Sequence, residues 1–172
     1  MKKEKDWYVL YVRSHHGKKV HESLQELSIE SFFPQIKTLR NWSDRKKVIF
    51  KPLFPSYVFV KINSTLDFHK VLSIYGASAY LRFGKTYAKA RDKEIDQIKL
   101  LLGDKDITNI QMNSQLPKIG ETKRIASGPL SGLECVILKT RDVNKIIVRI
   151  DSLQQNISAT IPLHYFEESG IS

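Results

Sequence analysis

The sequence predicts an α+β protein: a first domain with a mostly antiparallel sheet flanked by helices, followed by a small all-β barrel. Extended and helical apolar periods alternate over residues 7–103 in the order β-α-β-β-β-α-β-α. Short β-rich runs separated by turn residues follow from residue 119. The chain has 172 residues, 41% of them hydrophobic, which is enough for two small domains with cores of their own.

The first half of the chain begins with a strand and a helix. Residues 7–12 (WYVLYV) are aromatic or aliphatic throughout, as in a central strand with two apolar faces. A helix follows, because Val20, Leu24 and Leu27 recur at i, i+4 and i+7 on one stripe. Residues 32–39 then favour a second strand.

Turn-forming residues and prolines divide the next extended segment. Residues 40–47 (RNWSDRKK) contain Asn, Ser and Asp between two extended runs, which predicts the tip of a hairpin. Pro52 and Pro55 donate no backbone N–H, so they interrupt the ladder before a strand at residues 56–62.

Two more helices complete the first domain. A serine or threonine should cap the second helix and a glycine should end it. The residues concerned are Ser64 or Thr65 at the start, the inward Phe68, Val71, Leu72 and Tyr75, and Gly76 at the end. A strand at residues 77–83 and a helix at 92–103, with Ile95, Ile98 and Leu102 inward, follow. We therefore expect a first domain at residues 1–103, a polar linker at 104–117 and a second domain at 118–172.

The positive charge of the chain is confined to the first domain. The formal net charge is +10, with 28 Lys/Arg and 18 Asp/Glu. Residues 1–102 carry 20 Lys/Arg and 10 Asp/Glu, and residues 103–172 carry 8 of each. A basic part joined to a neutral part indicates that the basic part meets a polyanion, with nucleic acid favoured over a membrane. A solvated lysine-rich face is the alternative.

Cysteine, histidine and hydropathy patterns predict no disulfide, metal site or membrane span. Cys135 is the only cysteine, which fits a reducing cytoplasm and excludes a cysteine zinc knuckle. His15, His16 and His21 have no well-placed carboxylate partner. No apolar run approaches the ~20 residues of a membrane helix, and the basic N-terminal residues lack the apolar stretch of a signal peptide. We expect a cytoplasmic protein without cofactor or membrane contact.

The motifs of common enzymes are incomplete. Phe83-Gly84-Lys85-Thr86 matches the tail of a phosphate-binding loop, but Ala79 stands where the first glycine belongs. We expect a coincidental turn there, and a buried, unreactive thiol at Cys135. The sequence thus predicts no catalytic residue and a protein that is not an enzyme. A phosphate-using enzyme is the alternative that Lys85→Ala would test.

Two kinds of binding residue stand out. Phe54, Pro55 and Tyr57 surround a proline-bounded bend, either as core or as anchors for a protein partner. Tyr11 shares a strand face with Trp7 by period 2 and is expected beside them. Seven basic residues form two sets with nucleic acid as the expected ligand. The first set is Arg13, Lys18 and Lys19, and the second is Arg40, Arg45, Lys46 and Lys47.

Several blocks, in this order, resemble NusG-type transcription factors with an NGN domain followed by a KOW barrel. The blocks are WYVLY at residues 7–11, PLFPSYVFV at 52–60, YLRFG at 80–84 and IASGPLSGLE at 125–134. PLFP-x-Y is similar to the RfaH type, and NWSDRKK at 41–47 together with ATIPL at 159–163 resembles the UpxY-like antiterminators of polysaccharide operons. Cys135 stands where the KOW motif usually has a second glycine.

The resemblance implies a transcription elongation and antitermination factor that suppresses pausing and termination. It implies that Tyr11, Phe54, Pro55 and Tyr57 bind the clamp helices of RNA polymerase, and that Thr65, Phe68 and His69 face the other side of the cleft. Arg13 and Lys19 match a face that reads nontemplate DNA in RfaH-like members. Upstream DNA and nascent RNA are further expected ligands, and Rho or a ribosomal protein is the expected partner of the KOW domain. An RNA-binding or ribosome-associated KOW protein is the alternative, and we expect a nucleoid-associated monomer.

Overall fold

The computed structural model describes residues 5–113, 121–124, 130, 133–139 and 144–162. By its contacts the chain divides into a first unit, Met1–Asp92, and a second unit, Lys93–Ser172. The block at 125–134 lies outside the described residues except for Leu130, Leu133 and Glu134. The same holds for Leu163 and for residues 114–120 of the expected linker and second domain.

The strand predicted at residues 7–12 lies at the centre of the first sheet. This strand, β1 (Asp6–Val12), pairs antiparallel with β5 (Tyr57–Ile62) on one side. On the other side it pairs with β6 (Ala77–Tyr80) and β9 (Lys89–Ala90), while β2 (Ser31–Phe32) extends the sheet beyond β5. The strand order is β2-β5-β1-β6, so the predicted antiparallel sheet is confirmed.

Helices α1 (Gly17–Glu26) and α2 (Thr65–Leu72) cover one face of this sheet. Val20 and Leu24 of α1 and Val71 of α2 are fully buried against the sheet, as the helical periods predict. Leu27, Leu72 and Tyr75 were expected to point inward, but all three are exposed. Leu27 and Tyr75 lie beyond the ends of their helices, and Leu72 is the last residue of α2.

The hairpin predicted around residues 40–47 is a long two-stranded ribbon. Its strands β3 (Gln35–Trp42) and β4 (Arg45–Pro52) pair only with each other among the described residues, and Ser43-Asp44 forms the turn. A smaller hairpin joins β7 (Arg82–Phe83) to β8 (Thr86–Tyr87). The motif at 83–86 is therefore a tight turn, with Gly84 at φ +65°, and no helix begins at Lys85.

The third helix, α3 (Asp92–Gly103), has the predicted bounds, and all but its first residue belong to the second unit. Glu94 is buried and accepts a hydrogen bond from the Ser152 backbone N–H at 3.1 Å. Lys93 forms an ion pair with Glu134 at 2.8 Å. The sequence placed this helix in the first domain. Its apolar stripe, Ile95, Ile98 and Leu101, shows which side is buried but not which sheet it joins.

The described strands of the second unit form one antiparallel sheet in the order β10-β14-β13-β12-β11. The strands are β10 (Thr108–Asn113), β11 (Glu121–Arg124), β12 (Glu134–Lys139), β13 (Asn144–Ile150) and β14 (Gln155–Ile161). Strand β10 lies inside the segment that was expected to be a linker. This segment is a strand because its backbone pairs with β14. Among the described residues no pairing closes β10 onto β11, so the barrel stays a prediction.

Candidate functional site

Tyr11 and Tyr57 lie side by side at the end of the β1–β5 pair. They are direct cross-strand partners, and their rings meet edge to face with centroids 6.0 Å apart. Tyr11 is 46% exposed, and Tyr57 is half-buried. Pro55, which is exposed, lies two residues before β5. We call Tyr11, Pro55 and Tyr57 the aromatic patch.

Phe54 lies beneath the surface rather than on it. Its side chain is 0% exposed, and its ring meets Phe59 edge to face at 6.0 Å. Its backbone carbonyl accepts a hydrogen bond from the Tyr57 N–H at 3.2 Å, which closes the turn before β5. The structure therefore contradicts the expectation that Phe54 contacts a partner directly: it is core that holds the bend.

The second predicted set sits on α2 and is divided between surface and core. Thr65 and His69 are exposed, whereas Phe68 stacks on Tyr80 with centroids 4.1 Å apart. Ser64 caps the helix by accepting a hydrogen bond from the Asp67 N–H at 3.1 Å. Thr65 and Phe68 line a surface hollow of about 340 Å³. This end of the helix is thus rigid and presents a threonine and a histidine.

The first basic set surrounds the turn between β1 and α1. Arg13, Lys18 and Lys19 are all exposed. The Arg13 guanidinium lies 5.8 Å from the ring centroid of Tyr75, whose role as a cation–π partner the sequence reading missed. The lysines project from the first turn of α1. This set is available to a polyanion.

The second basic set is divided between the two faces of the ribbon. Side chains alternate along a strand, and directly paired residues share a face. The pairs Trp42–Arg45 and Arg40–Lys47 therefore lie on the same face as Lys51, which pairs with Ile36. The basic face carries Arg40, Trp42, Arg45, Lys47 and Lys51, and Ile36, Thr38 and Ile49 lie among these cations. Lys46 pairs with Asn41 and lies on the opposite face, so the four predicted basic residues do not form one surface.

The opposite face of the ribbon carries an apolar cluster beside Lys37, Asn41 and Lys46. Leu39 pairs with Val48, and Phe50 pairs with Lys37 on the same side. Leu39, Val48 and Phe50 are all exposed, and we call them the apolar face. The sequence reading missed Trp42 and Lys51. A signal for Trp42 was present in the sequence. Side chains at every second position on either side of a two-residue turn share a face, which places Trp42 with Arg40, Arg45 and Lys47.

The titratable residues considered for metal or nucleophilic chemistry are in ordinary structural contacts. His21 Nδ1 lies 2.7 Å from Ser31 Oγ. Burial lowers the His21 pKa, and this effect outweighs the negative charge of Glu22, which raises it. His16 Nδ1 instead lies 2.8 Å from the Ser14 carbonyl. Burial raises the pKa of Cys135 to about 11, so its thiol is protonated near neutral pH. The described residues contain no cluster of three or more His, Cys, Asp or Glu side chains placed to hold a metal ion.

Residues 5–99 match the family model described as "Transcription termination factor nusG". That stretch covers more than half of the chain and contains the whole first sheet. The chain belongs to the NusG family. Membership makes it a NusG-type transcription factor of the elongation and termination class and implies an interaction with RNA polymerase.

A solved structure supports the NusG fold over both units. The chain is similar to NusG of Thermotoga maritima, described as "Domain interaction in Thermotoga maritima NusG", with a TM-score of 0.51 and 23% sequence identity. The match covers 94% of this chain and 96% of that one. At this identity the likeness shows the fold alone. No helix among the described residues combines the length and apolar character that crossing a membrane requires.

Proposed function

We propose that this NusG-family chain is an elongation and antitermination factor that binds the RNA polymerase clamp helices through the aromatic patch. The observation that carries this proposal is the pair of partly exposed tyrosines, Tyr11 and Tyr57, fixed by direct cross-strand pairing above buried Phe54. Rigid aromatic side chains bind a protein partner at little cost in conformational entropy. The patch carries no charge, so shape and apolar area select its partner.

The end of α2 is proposed to reach the other side of the polymerase cleft. Thr65 and His69 are exposed there, and Phe68, which lies between them in sequence, stacks on Tyr80. A protein that touches both sides stabilises the closed clamp relative to the open, paused state. The effect is a shift in conformational populations, with no bond made or broken. Pausing and termination both decrease in consequence.

The basic residues of the first unit are proposed to contact nucleic acid in the transcribing complex. Arg13, Lys18 and Lys19 form one contact with nontemplate or upstream DNA. The ribbon, with Arg40, Arg45 and Lys47 on one face and Lys46 on the other, forms a second contact with DNA or nascent RNA. Each phosphate neutralised releases counterions, so these contacts add salt-dependent affinity and a faster association rate. The aromatic patch remains the determinant of the partner.

The finer assignments also belong to this proposal. The UpxY-like segments at residues 41–47 and 159–163 favour action on specific long polysaccharide operons. The second unit, whose sequence contains the KOW-like block at residues 125–134, is proposed to recruit Rho or a ribosomal protein. The protein would act as a monomer in the cytoplasm, at the nucleoid through RNA polymerase.

Tyr57→Ala tests the polymerase assignment. We expect the affinity of the full-length protein for purified RNA polymerase to fall at least about tenfold, because truncating an aromatic anchor costs about 2 kcal/mol or more. Tyr75→Ala is the matched control, since Tyr75 is a more exposed tyrosine of the same unit outside the patch. Unchanged affinity for Tyr57→Ala would show that the clamp assignment is wrong. Co-purification with ribosomes that survives salt, without polymerase, would instead favour the ribosome-associated alternative.

A further inference from the structure

We propose that the basic face of the ribbon binds single-stranded nucleic acid, with Trp42 stacking on an unpaired base. The cations around it would contact the phosphates on either side of that base. They are Arg40, Arg45 and Lys47, whereas Lys51 lies about 20 Å further along the same face and would contact a more distant phosphate. This inference deepens the nucleic-acid contact of the proposed function and rests on it. It adds the class of ligand, the face that binds it and a residue that makes the base contact.

The indole of Trp42 is open to solvent and lies among cations. The indole is 58% exposed next to the turn, and no aromatic or cation–π contact within the described residues occupies it. Arg45 is its direct cross-strand partner, about 5 Å away between Cβ atoms by sheet geometry. Arg40 lies two positions back on the same face, about 7 Å along the strand. An open ring is thus surrounded by positive charge.

The positive charge of the ribbon is not balanced by acidic residues of the ribbon itself. Residues 35–52 contain six Lys/Arg and one Asp. None of the ion pairs found in the described part of the chain involves a ribbon residue. The ribbon also stands apart from the first sheet, since its two strands pair only with each other in that part. A protruding cationic surface without internal partners attracts a polyanion.

The distribution of side chains on the ribbon favours single-stranded nucleic acid over a lipid surface or a duplex as the ligand. A ribbon that inserts into a membrane needs its aromatic and apolar side chains on one face. Here Trp42 shares a face with the cations, while Leu39, Val48 and Phe50 lie on the other. Bases within a duplex stack on each other and offer only their edges in the grooves. An exposed indole stacks on an unpaired base without the cost of unstacking a duplex, as in single-strand binding proteins.

The test is fluorescence anisotropy of the full-length protein with a labelled oligo-dT and a labelled oligo-U of about 12 nucleotides. We expect Trp42→Ala to weaken binding about 5- to 150-fold, the range for loss of one stacked base. Trp42→Phe should retain most of the affinity. Comparing the two oligonucleotides shows whether DNA or RNA is preferred. Circular dichroism confirms that each variant keeps its fold.

Two matched controls use the opposite face of the ribbon. Leu39→Ala removes a side chain at least as exposed as Trp42 and should change the affinity by no more than about twofold. Lys47→Ala should reduce the slope of log affinity against log salt by about 0.7, the value for one phosphate contact on a single strand. Lys37→Ala removes the same charge from an exposed position on the other face and should leave the slope unchanged.

Three results would overturn the inference. The first is an equal loss for Trp42→Ala and Leu39→Ala. The second is tighter binding to a duplex of the same length, insensitive to Trp42→Ala, which would indicate groove binding. The third is binding to vesicles of anionic phospholipid that depends on Leu39 and Phe50. Polymerase affinity measured in parallel separates the two proposals. Absence of the Tyr57 effect on polymerase binding contradicts the proposed function, whereas the Trp42 and Lys47 effects on oligonucleotide binding report on the ribbon.

Discussion

Phe54 and Tyr57 are three residues apart, yet substitutions at the two positions have different physical consequences. Tyr57 is partly exposed, so its truncation removes contact area for a partner. Phe54 is fully buried against Phe59, so its truncation leaves a cavity. Loss of polymerase binding by a Phe54 variant would therefore reflect loss of the folded bend as well as loss of an interface.

Phe54→Ala is expected to lower the free energy of unfolding of the first unit by about 3–5 kcal/mol, as for other buried phenylalanines. Denaturant unfolding followed by circular dichroism measures this change. Pro55→Ala, at the exposed neighbouring position, is the control and should cost much less. A Phe54→Ala protein with unchanged stability would show that the side chain is not core.

Gly76 is a second position where a small substitution should change the stability of the first unit. Its φ is +98°, and an added Cβ would lie 2.9 Å from the Cβ of His16. Gly76→Ala should therefore destabilise the first unit by more than the about 1–2 kcal/mol of left-handed strain alone. Gly84→Ala provides the comparison, because Gly84 has φ +65° and open space around it. Thermal unfolding of both variants checks the order, and equal losses would contradict the close approach to His16.

Residue-level prediction from the sequence succeeded where periodicity governs burial. Val20, Leu24 and Val71 are buried as their helical spacing indicated. Phe54 was ambiguous, because an aromatic residue at a proline-bounded bend satisfies either role until its neighbours are known. Leu102 was placed inward, whereas Leu101 is the fully buried residue, because the stripe of a real helix drifts relative to an ideal count.

At the scale of elements, the ribbon is separable from the sheet that positions the aromatic patch. Its exposed faces contribute little to the core of the first unit. Replacing residues 39–48 by Asn-Gly would join Thr38 to Ile49 through a two-residue hairpin turn. Thr38 and Ile49 are already paired and, like Trp42 and Arg45, form a hydrogen-bonded pair of the antiparallel ladder, as such a turn requires. The shortened ribbon keeps the register of the remaining strands.

The shortened variant is expected to change the free energy of unfolding by less than about 1 kcal/mol and to retain polymerase binding. Oligonucleotide binding should weaken by more than it does for Trp42→Ala alone, because Arg40, Trp42, Arg45 and Lys47 are removed together. Calorimetry and the two binding assays measure these properties. Loss of polymerase binding with the fold intact would mean that the ribbon, rather than the aromatic patch, selects the partner.

The sequence predicted β1, β5, α1 and α2 because each has a local signal. The single strands expected at residues 32–39 and 77–83 are each divided into two, and β8 and β9 were not predicted. The hairpin was expected from its turn residues, and the two ends of α3 were placed correctly. The division of the ribbon into two faces required the pairing register, which depends on the turn being two residues long. Strand β10 was read as linker because its polar sequence lacks a period, and its pairing with β14 is a long-range interaction.

At the scale of the whole molecule, the charge of +10 and the aromatic patch have different roles. The surplus lies within residues 1–102, where the basic face of the ribbon and the Arg13 set present it to solvent. Such charge raises association rates and affinity for any polyanion. The uncharged patch provides the selective contact, so salt should weaken nucleic-acid binding far more than polymerase binding.

The central claim is that contact through the aromatic patch keeps RNA polymerase in its elongating state. The most direct measurement is the lifetime of a defined pause during transcription by purified polymerase, with and without this protein. The full-length chain should shorten the pause, and the Tyr11→Ala, Tyr57→Ala double variant should not, although it remains folded. A pause that the wild-type chain leaves unchanged or prolongs, or that the double variant shortens equally well, would contradict the account.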